Sequence, residues 1–136
     1  MREAIEAAML RGRQARHEGD LAFAEQSYAE AVKIAEEAGE DLLKAKALRH
    51  VSELNRDLGR VELAQTAGVE AVTIYRAKAE SPPLDFANAL RVTALAYQSA
   101  GKGPDARAAW SEARLLYADV GVSAGVAECD AHLNQA

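Results

Sequence analysis

Gly19–Ala35 reads GDLAFAEQSYAEAVKIA, and the same pattern returns at Gly59–Tyr75 (GRVELAQTAGVEAVTIY) and at Gly101–Tyr117 (GKGPDARAAWSEARLLY). In each copy an alanine follows the glycine by five residues (Ala24, Ala64, Ala106) and a second by twelve (Ala31, Ala71, Ala113). An aliphatic residue follows by fifteen (Ile34, Ile74, Leu116), and the glycines recur at 40 and then 42 residues. Three copies at near-constant spacing mark a stacked repeat array, in which each unit buries its apolar face against its neighbours. The alanines have a physical reason: a methyl group lets two helix backbones approach where a larger side chain would hold them apart.

Outward from these copies the chain resolves into seven helices. Residues 2–17 carry Ile5, Ala8, Gly12 and Ala15 on one stripe at helical spacing. Gly19-Asp20 breaks that stripe, and Asp20 is placed to cap the next helix through its carboxylate. The second helix runs to about 38 and stops at Gly39; a third over 41–58 turns Leu42, Ala45, Leu48, Val51, Asn55 and Leu58 inward; a fourth runs over 61–79. Ser81-Pro82-Pro83 starts the fifth, with serine as a capping side chain and proline tolerated in the first turn. The sixth spans about 104–119. The last, 123–134, sets Val122, Val126, Cys129 and Leu133 on an apolar stripe and Glu128, Asp130, Asn134 and Gln135 on a polar one, as a terminal cap requires. The expected fold is all-α: one domain over 1–136, an α-α superhelix of three antiparallel hairpins (2–38, 41–79, 83–119) and a C-terminal capping helix.

The composition is compatible with that reading. Hydrophobic residues are 49% and aromatics only 5%, so the core is built from Ala, Leu, Val and Ile. A net charge of -5 argues against nucleic acid as a partner. No apolar run approaches a membrane span, and charges at Arg2, Glu3, Glu6 and Arg11 interrupt any signal-like segment. With one cysteine there is no internal disulfide, and a cytoplasmic location is the expectation.

The repeated residues resemble the tetratricopeptide repeat, in a longer-helix variety. The matching features are the turn glycines Gly19, Gly59 and Gly101, the paired alanines, and a large residue between them at Tyr28 and Trp110. Small residues stand seven before each turn glycine (Gly12, Ser52, Ala94), and Tyr97 matches the aromatic four before it. Copy two departs from the pattern with Gly68 in the aromatic's place, and the early Trp is replaced by Ala8, Leu48 and Leu90.

The resemblance implies a non-catalytic module that holds a peptide or protein segment in a groove lined by the first helix of each hairpin. Copy one would present Glu6, Met9, Leu10, Arg13, Arg16 and His17. Copy two would present Lys46, Arg49, His50, Glu53, Arg56 and Asp57, and copy three Asn88, Arg91, Val92, Leu95, Gln98 and Ser99. Cations dominate there while the second helices carry most of the acid, so an acidic or carboxylate-ended partner is expected, because arginine pairs bidentately with carboxylates. The competing reading of the same charges is a solvated surface in which Arg49 and Glu53 pair along their own helix. The two-carboxylate clamp of chaperone-binding members uses Lys and Asn where Met9, Arg13, His50, Asn88 and Val92 stand, so that ligand is not expected. A second reading is a homodimer or scaffold that self-associates through Met9, Leu10, Val92 and Leu95, and a third is a sensor fragment of a larger regulator.

Catalysis needs convergence, and His17, His50, His132, Glu53, Asp57 and Cys129 do not supply it. His50 and His132 fall on helices separated by another, at roughly 8–10 Å per neighbour, too far for one metal. His50 and Glu53 share a helix face as a weak pair. No HExxH, CxxC, GxSxG or phosphate-loop spacing occurs. Cys129 and Trp110 read as core. No metal, cofactor or enzymatic activity is expected.

Overall fold

The computed structural model describes residues 1–135, and those residues form seven α-helices and no strand. They are α1 (Arg2–His17), α2 (Leu21–Ala38), α3 (Asp41–Asp57), α4 (Val61–Ala77), α5 (Pro83–Ser99), α6 (Gly103–Asp119) and α7 (Ser123–Leu133). Each helix packs on the next in chain order, and α3 also packs on α5. The result is an all-α stack of the superhelical kind, with α1, α3, α5 and α7 as its first-type helices. No helix of the described residues is long and apolar enough to cross a membrane.

The turns are built alike. Gly19, Gly59 and Gly101 adopt φ of 84°, 79° and 74°, the left-handed region that only glycine enters without strain. Each lets the following N–H reach back five residues: Asp20 to the Ala15 carbonyl at 2.9 Å, Arg60 to Asn55 at 2.8 Å and Lys102 to Tyr97 at 2.9 Å. Orphan carbonyls at the helix ends are thereby satisfied. Asp20 caps α2, accepting from the Phe23 N–H at 3.1 Å.

Two boundaries differ from the sequence expectation. α4 ends at Ala77 rather than 79, because Lys78 is already extended. Ser81 does not cap α5. Its hydroxyl donates backwards to the Tyr75 carbonyl at 2.7 Å, closing the end of α4, while Pro82 stands at the start of α5.

All six repeat alanines are at most 2% exposed. Between them, one position on each second-type helix decides how neighbouring first-type helices sit. In α2 it is Tyr28, whose ring lies so close to Gly12 of α1 that a Cβ there would come within 2.6 Å of it. The other side of the ring's surroundings is His50 of α3, stacked at 4.4 Å with planes 13° apart. In α6 it is Trp110, 1% exposed and stacked on His132 of α7 at 4.1 Å and 8°. In α4 it is Gly68, with no ring at all. There the Thr93 hydroxyl of α5 and the Ser52 hydroxyl of α3 stand 2.6 and 3.1 Å from where a Cβ would be. Both hydroxyls are fixed by hydrogen bonds, Ser52 donating to the Ala64 carbonyl and Thr93 to the Ala89 carbonyl, each at 2.7 Å. Accordingly α3 and α5 run close together, whereas α1 and α3, and α5 and α7, stand further apart.

The buried core residues follow the predicted stripes, including Ile5, Ala8, Leu48 and Cys129. The polar stripe of α7 is not simply solvated: Glu128 pairs with Arg91 and Asp130 with Arg114.

Gly68→Ala is expected to destabilise the fold. Overpacking against a fixed backbone costs about 1–3 kcal/mol, and this outweighs the gain of about 0.8–1 kcal/mol from helix propensity. Gly103, whose would-be Cβ meets nothing within 4 Å outside its chain neighbours, is the comparison, since alanine there touches no other helix and answers only to Pro104 beside it. Urea midpoints of the two variants check that the loss is confined to Gly68→Ala or is clearly larger there.

Candidate functional site

The first-type helices share a face, and a line of side chains crosses it. Arg16 of α1 meets Glu53 of α3 at 2.8 Å and Asp57 at 3.4 Å. Glu53 also faces Arg91 of α5 at 3.7 Å, and Arg91 meets Glu128 of α7 at 2.6 Å. Arginine and glutamate thus alternate across four helices. Burial alone would push the Glu53 carboxyl up, but the Arg16 hydrogen bond and the charges of Arg16, Arg49 and Arg91 outweigh it and hold the group below the ordinary glutamate range.

Beside this ladder lies a second group. Arg49 donates to His50 Nε2 at 3.2 Å and has no carboxylate within ion-pair distance among the described residues. His50 is mostly buried under Tyr28; burial first, then the Arg49 charge, lowers its pKa to about 3, so the ring is neutral at ordinary pH. With Nε2 accepting from Arg49, the proton sits on Nδ1, which is buried without a partner. Arg13 and Lys46 are exposed and, among the described residues, form no ion pair. The charges of Arg13, Arg16 and Arg49 all act on the Tyr28 hydroxyl, opposing the rise that burial gives it. Arg13 and Lys46 line a crevice between α1 and α3 together with Glu6, Met9, Leu10 and Leu43.

The sequence-expected groove therefore divides. Arg13, Arg49, His50 and Lys46 come together around α1 and α3, with Arg16 and Glu53 as one wall. His17 lies beyond, exposed beside Arg13, Gln14 and Glu18. Several expected contributors are engaged elsewhere. Met9 and Val92 are buried at 7% and 2% exposure because they point into the helix seams. Asn88 accepts the Tyr117 hydroxyl at 2.6 Å, Gln98 bonds the His132 ring at 3.0 Å, and Leu95 packs on the core of α5 and α6. Arg56 donates to the Ser99 hydroxyl at 3.1 Å. The expected Arg49–Glu53 pair along α3 does not form, since Glu53 turns to Arg16 and Arg91 on the flanking helices, and for the same reason it does not join His50.

The acids of the second-type helices are also not all free. Glu36 and Glu70 share Lys44, Glu30 meets Arg11, and Glu112 holds Arg76. Burial raises the Cys129 thiol to about 11, which leaves it a neutral core group. What sequence reasoning missed is the ladder and the role of Tyr28. The signal was present as opposite charges 37 residues apart on first-type helices, at Arg16 and Glu53 and again at Arg91 and Glu128.

In comparisons with known proteins, no family model matches the chain and no curated protein matches it.

His50 makes stability depend on pH. Its folded pKa, about 3, lies below the unfolded value, so between about 6.5 and 3 the unfolded chain binds the extra proton. Stability from this group is full above the unfolded pKa and falls as pH drops. His50→Phe keeps a stacked ring without the titration. Unfolding free energies measured at pH 7 and pH 5 are expected to fall less in the variant than in the parent.

Proposed function

We propose that this chain is a non-catalytic, tetratricopeptide-like interaction module that captures an acidic segment of another protein on the face of α1 and α3. The observation that carries the reading is that Arg13, Lys46 and Arg49 share this face without carboxylate partners among the described residues, whereas Arg16 and Arg91 beside them are neutralised by Glu53, Asp57 and Glu128. Like charges gathered without direct ion-pair partners oppose folding slightly, and an acidic ligand reduces that repulsion. Hydrogen bonds from a guanidinium to a carboxylate contribute about 1.5–3 kcal/mol each when partly shielded from water.

His50 supports the binding reading over a catalytic one. A histidine with a pKa of about 3 and its Nε2 already engaged is a poor base near neutrality. Self-association through the groove has less to draw on. Of its four apolar residues, Met9 and Val92 are buried and Leu95 is packed, which leaves Leu10 at 49% exposure.

The test is fluorescence anisotropy with labelled hexaglutamate as probe. Binding is expected to saturate and to weaken at least tenfold between about 50 and 300 mM salt, as screening shortens the reach of exposed charges. Arg13→Glu/Arg49→Glu is expected to abolish it with helicity unchanged by circular dichroism. Lys33→Glu, on α2, is expected to leave it intact. An unsaturable titration, or equal binding by the double variant, would overturn the proposal.

A further inference from the structure

The crevice between α1 and α3 is more than a cationic surface. It measures about 330 Å³ and is lined by Glu6, Met9, Leu10 and Arg13 of α1 and Leu43 and Lys46 of α3. That volume lies at the lower end of ligand pockets, roughly 300–1,000 Å³. It exists because Tyr28 stands between Gly12 and His50 and keeps α1 from closing on α3, as α5 closes on α3 where Gly68 replaces the ring.

Its contents are ordered along the helices. Arg2 meets Glu40 at the start of both helices and Arg16 meets Glu53 further along, so residue numbers rise in the same direction on α1 and α3. On α1 Glu6 opens the row one turn before Leu10; Leu10 and Leu43 follow, and Arg13 and Lys46 lie about one turn further along. The acidic wall of Glu53 and Asp57 follows in turn, already committed to Arg16. Apolar surface and positive charge therefore lie about 5 Å apart in a row, one helical turn being 5.4 Å. Beyond the cations the row ends in negative charge.

Resting on the acidic-segment reading above, we infer that the crevice selects a particular kind of segment: an extended peptide with an aliphatic side chain two residues from a single carboxylate side chain. In an extended chain, neighbouring side chains point to opposite faces, whereas residues two apart share a face at roughly 6.6 Å. Only the second spacing lets one side chain enter between Leu10 and Leu43 while the other meets Arg13 and Lys46. Further carboxylates weaken the fit without abolishing it, because they would lie toward Glu53 and Asp57, so hexaglutamate binds but is the weaker ligand.

The experiment uses labelled peptides with both ends blocked. The reference carries Leu-Ser-Glu within a Gly/Ser context; the others carry Ser-Ser-Glu, Leu-Ser-Gln, or Leu-Glu adjacent. A fifth peptide ends in a free C-terminal leucine and has no glutamate. The reference is expected to bind about tenfold tighter than the Ser-Ser-Glu and Leu-Glu peptides, and Leu-Ser-Gln is expected not to bind. Leu10→Ser, at a half-exposed position that leaves the core intact, is expected to remove the leucine preference alone. Equal binding of the leucine and serine peptides would overturn this inference and leave acidic capture standing. Tighter binding of the free-ended peptide would overturn it in favour of a terminal carboxylate. Failure of every peptide and of hexaglutamate would overturn both.

Discussion

The separation of neighbouring first-type helices depends on what stands at one position of the second-type helix between them. An aromatic ring there must be accommodated, and its neighbours show how: Gly12 gives up its Cβ to Tyr28, and His50 and His132 lie flat on Tyr28 and Trp110. Glycine there reverses the situation, since Thr93 and Ser52 occupy the space that a side chain at Gly68 would need. Interiors are packed too densely to leave either arrangement half-filled. The stack is consequently uneven, with α3 and α5 close and α1 set apart from α3.

This unevenness places the charges. Long side chains span the wide seams as well as the close one, so Glu53 serves Arg16 at 2.8 Å on one side and Arg91 at 3.7 Å on the other. Partly exposed ion pairs contribute only about 0.2–1 kcal/mol each, less than the burial of one large apolar side chain, at about 1.5–3 kcal/mol. The ladder is thus a consequence of the packing rather than its cause. Its effect on function is larger than its effect on stability. It consumes the arginines in the middle of the face and leaves Arg13, Lys46 and Arg49 as the positive charge available on α1 and α3.

His50 joins the two levels. It is the surface on which Tyr28 stacks, and it is the acceptor that holds Arg49. Being buried and neutral, it positions a guanidinium without cancelling its charge, which a carboxylate in the same place would do. The same burial leaves its Nδ1 without a partner, a cost the fold also bears at Trp110 Nε1.

The sequence by itself determined the helices and their order. Glycine at Gly19, Gly59 and Gly101 ends one helix and alanine at fixed distances starts the packing of the next; both signals are local and act through backbone conformation and side-chain size. Seven helices and nearly all their limits were legible for that reason, and the exception at Ser81 arose because its hydroxyl had two helix ends within reach. The cationic character of the first-type helices was legible too. What only the tertiary structure decided was which of those residues remain available. Met9 and Val92 follow the same spacing as exposed neighbours, yet rotate into seams; Arg49 and Glu53 sit one turn apart, yet Glu53 pairs with Arg16 and Arg91 on other helices while Arg49 turns to its neighbour His50. Side-chain partners of this kind are settled by distances between helices, and those distances follow from Tyr28, Gly68 and Trp110 acting across the stack, which periodicity along the chain does not encode.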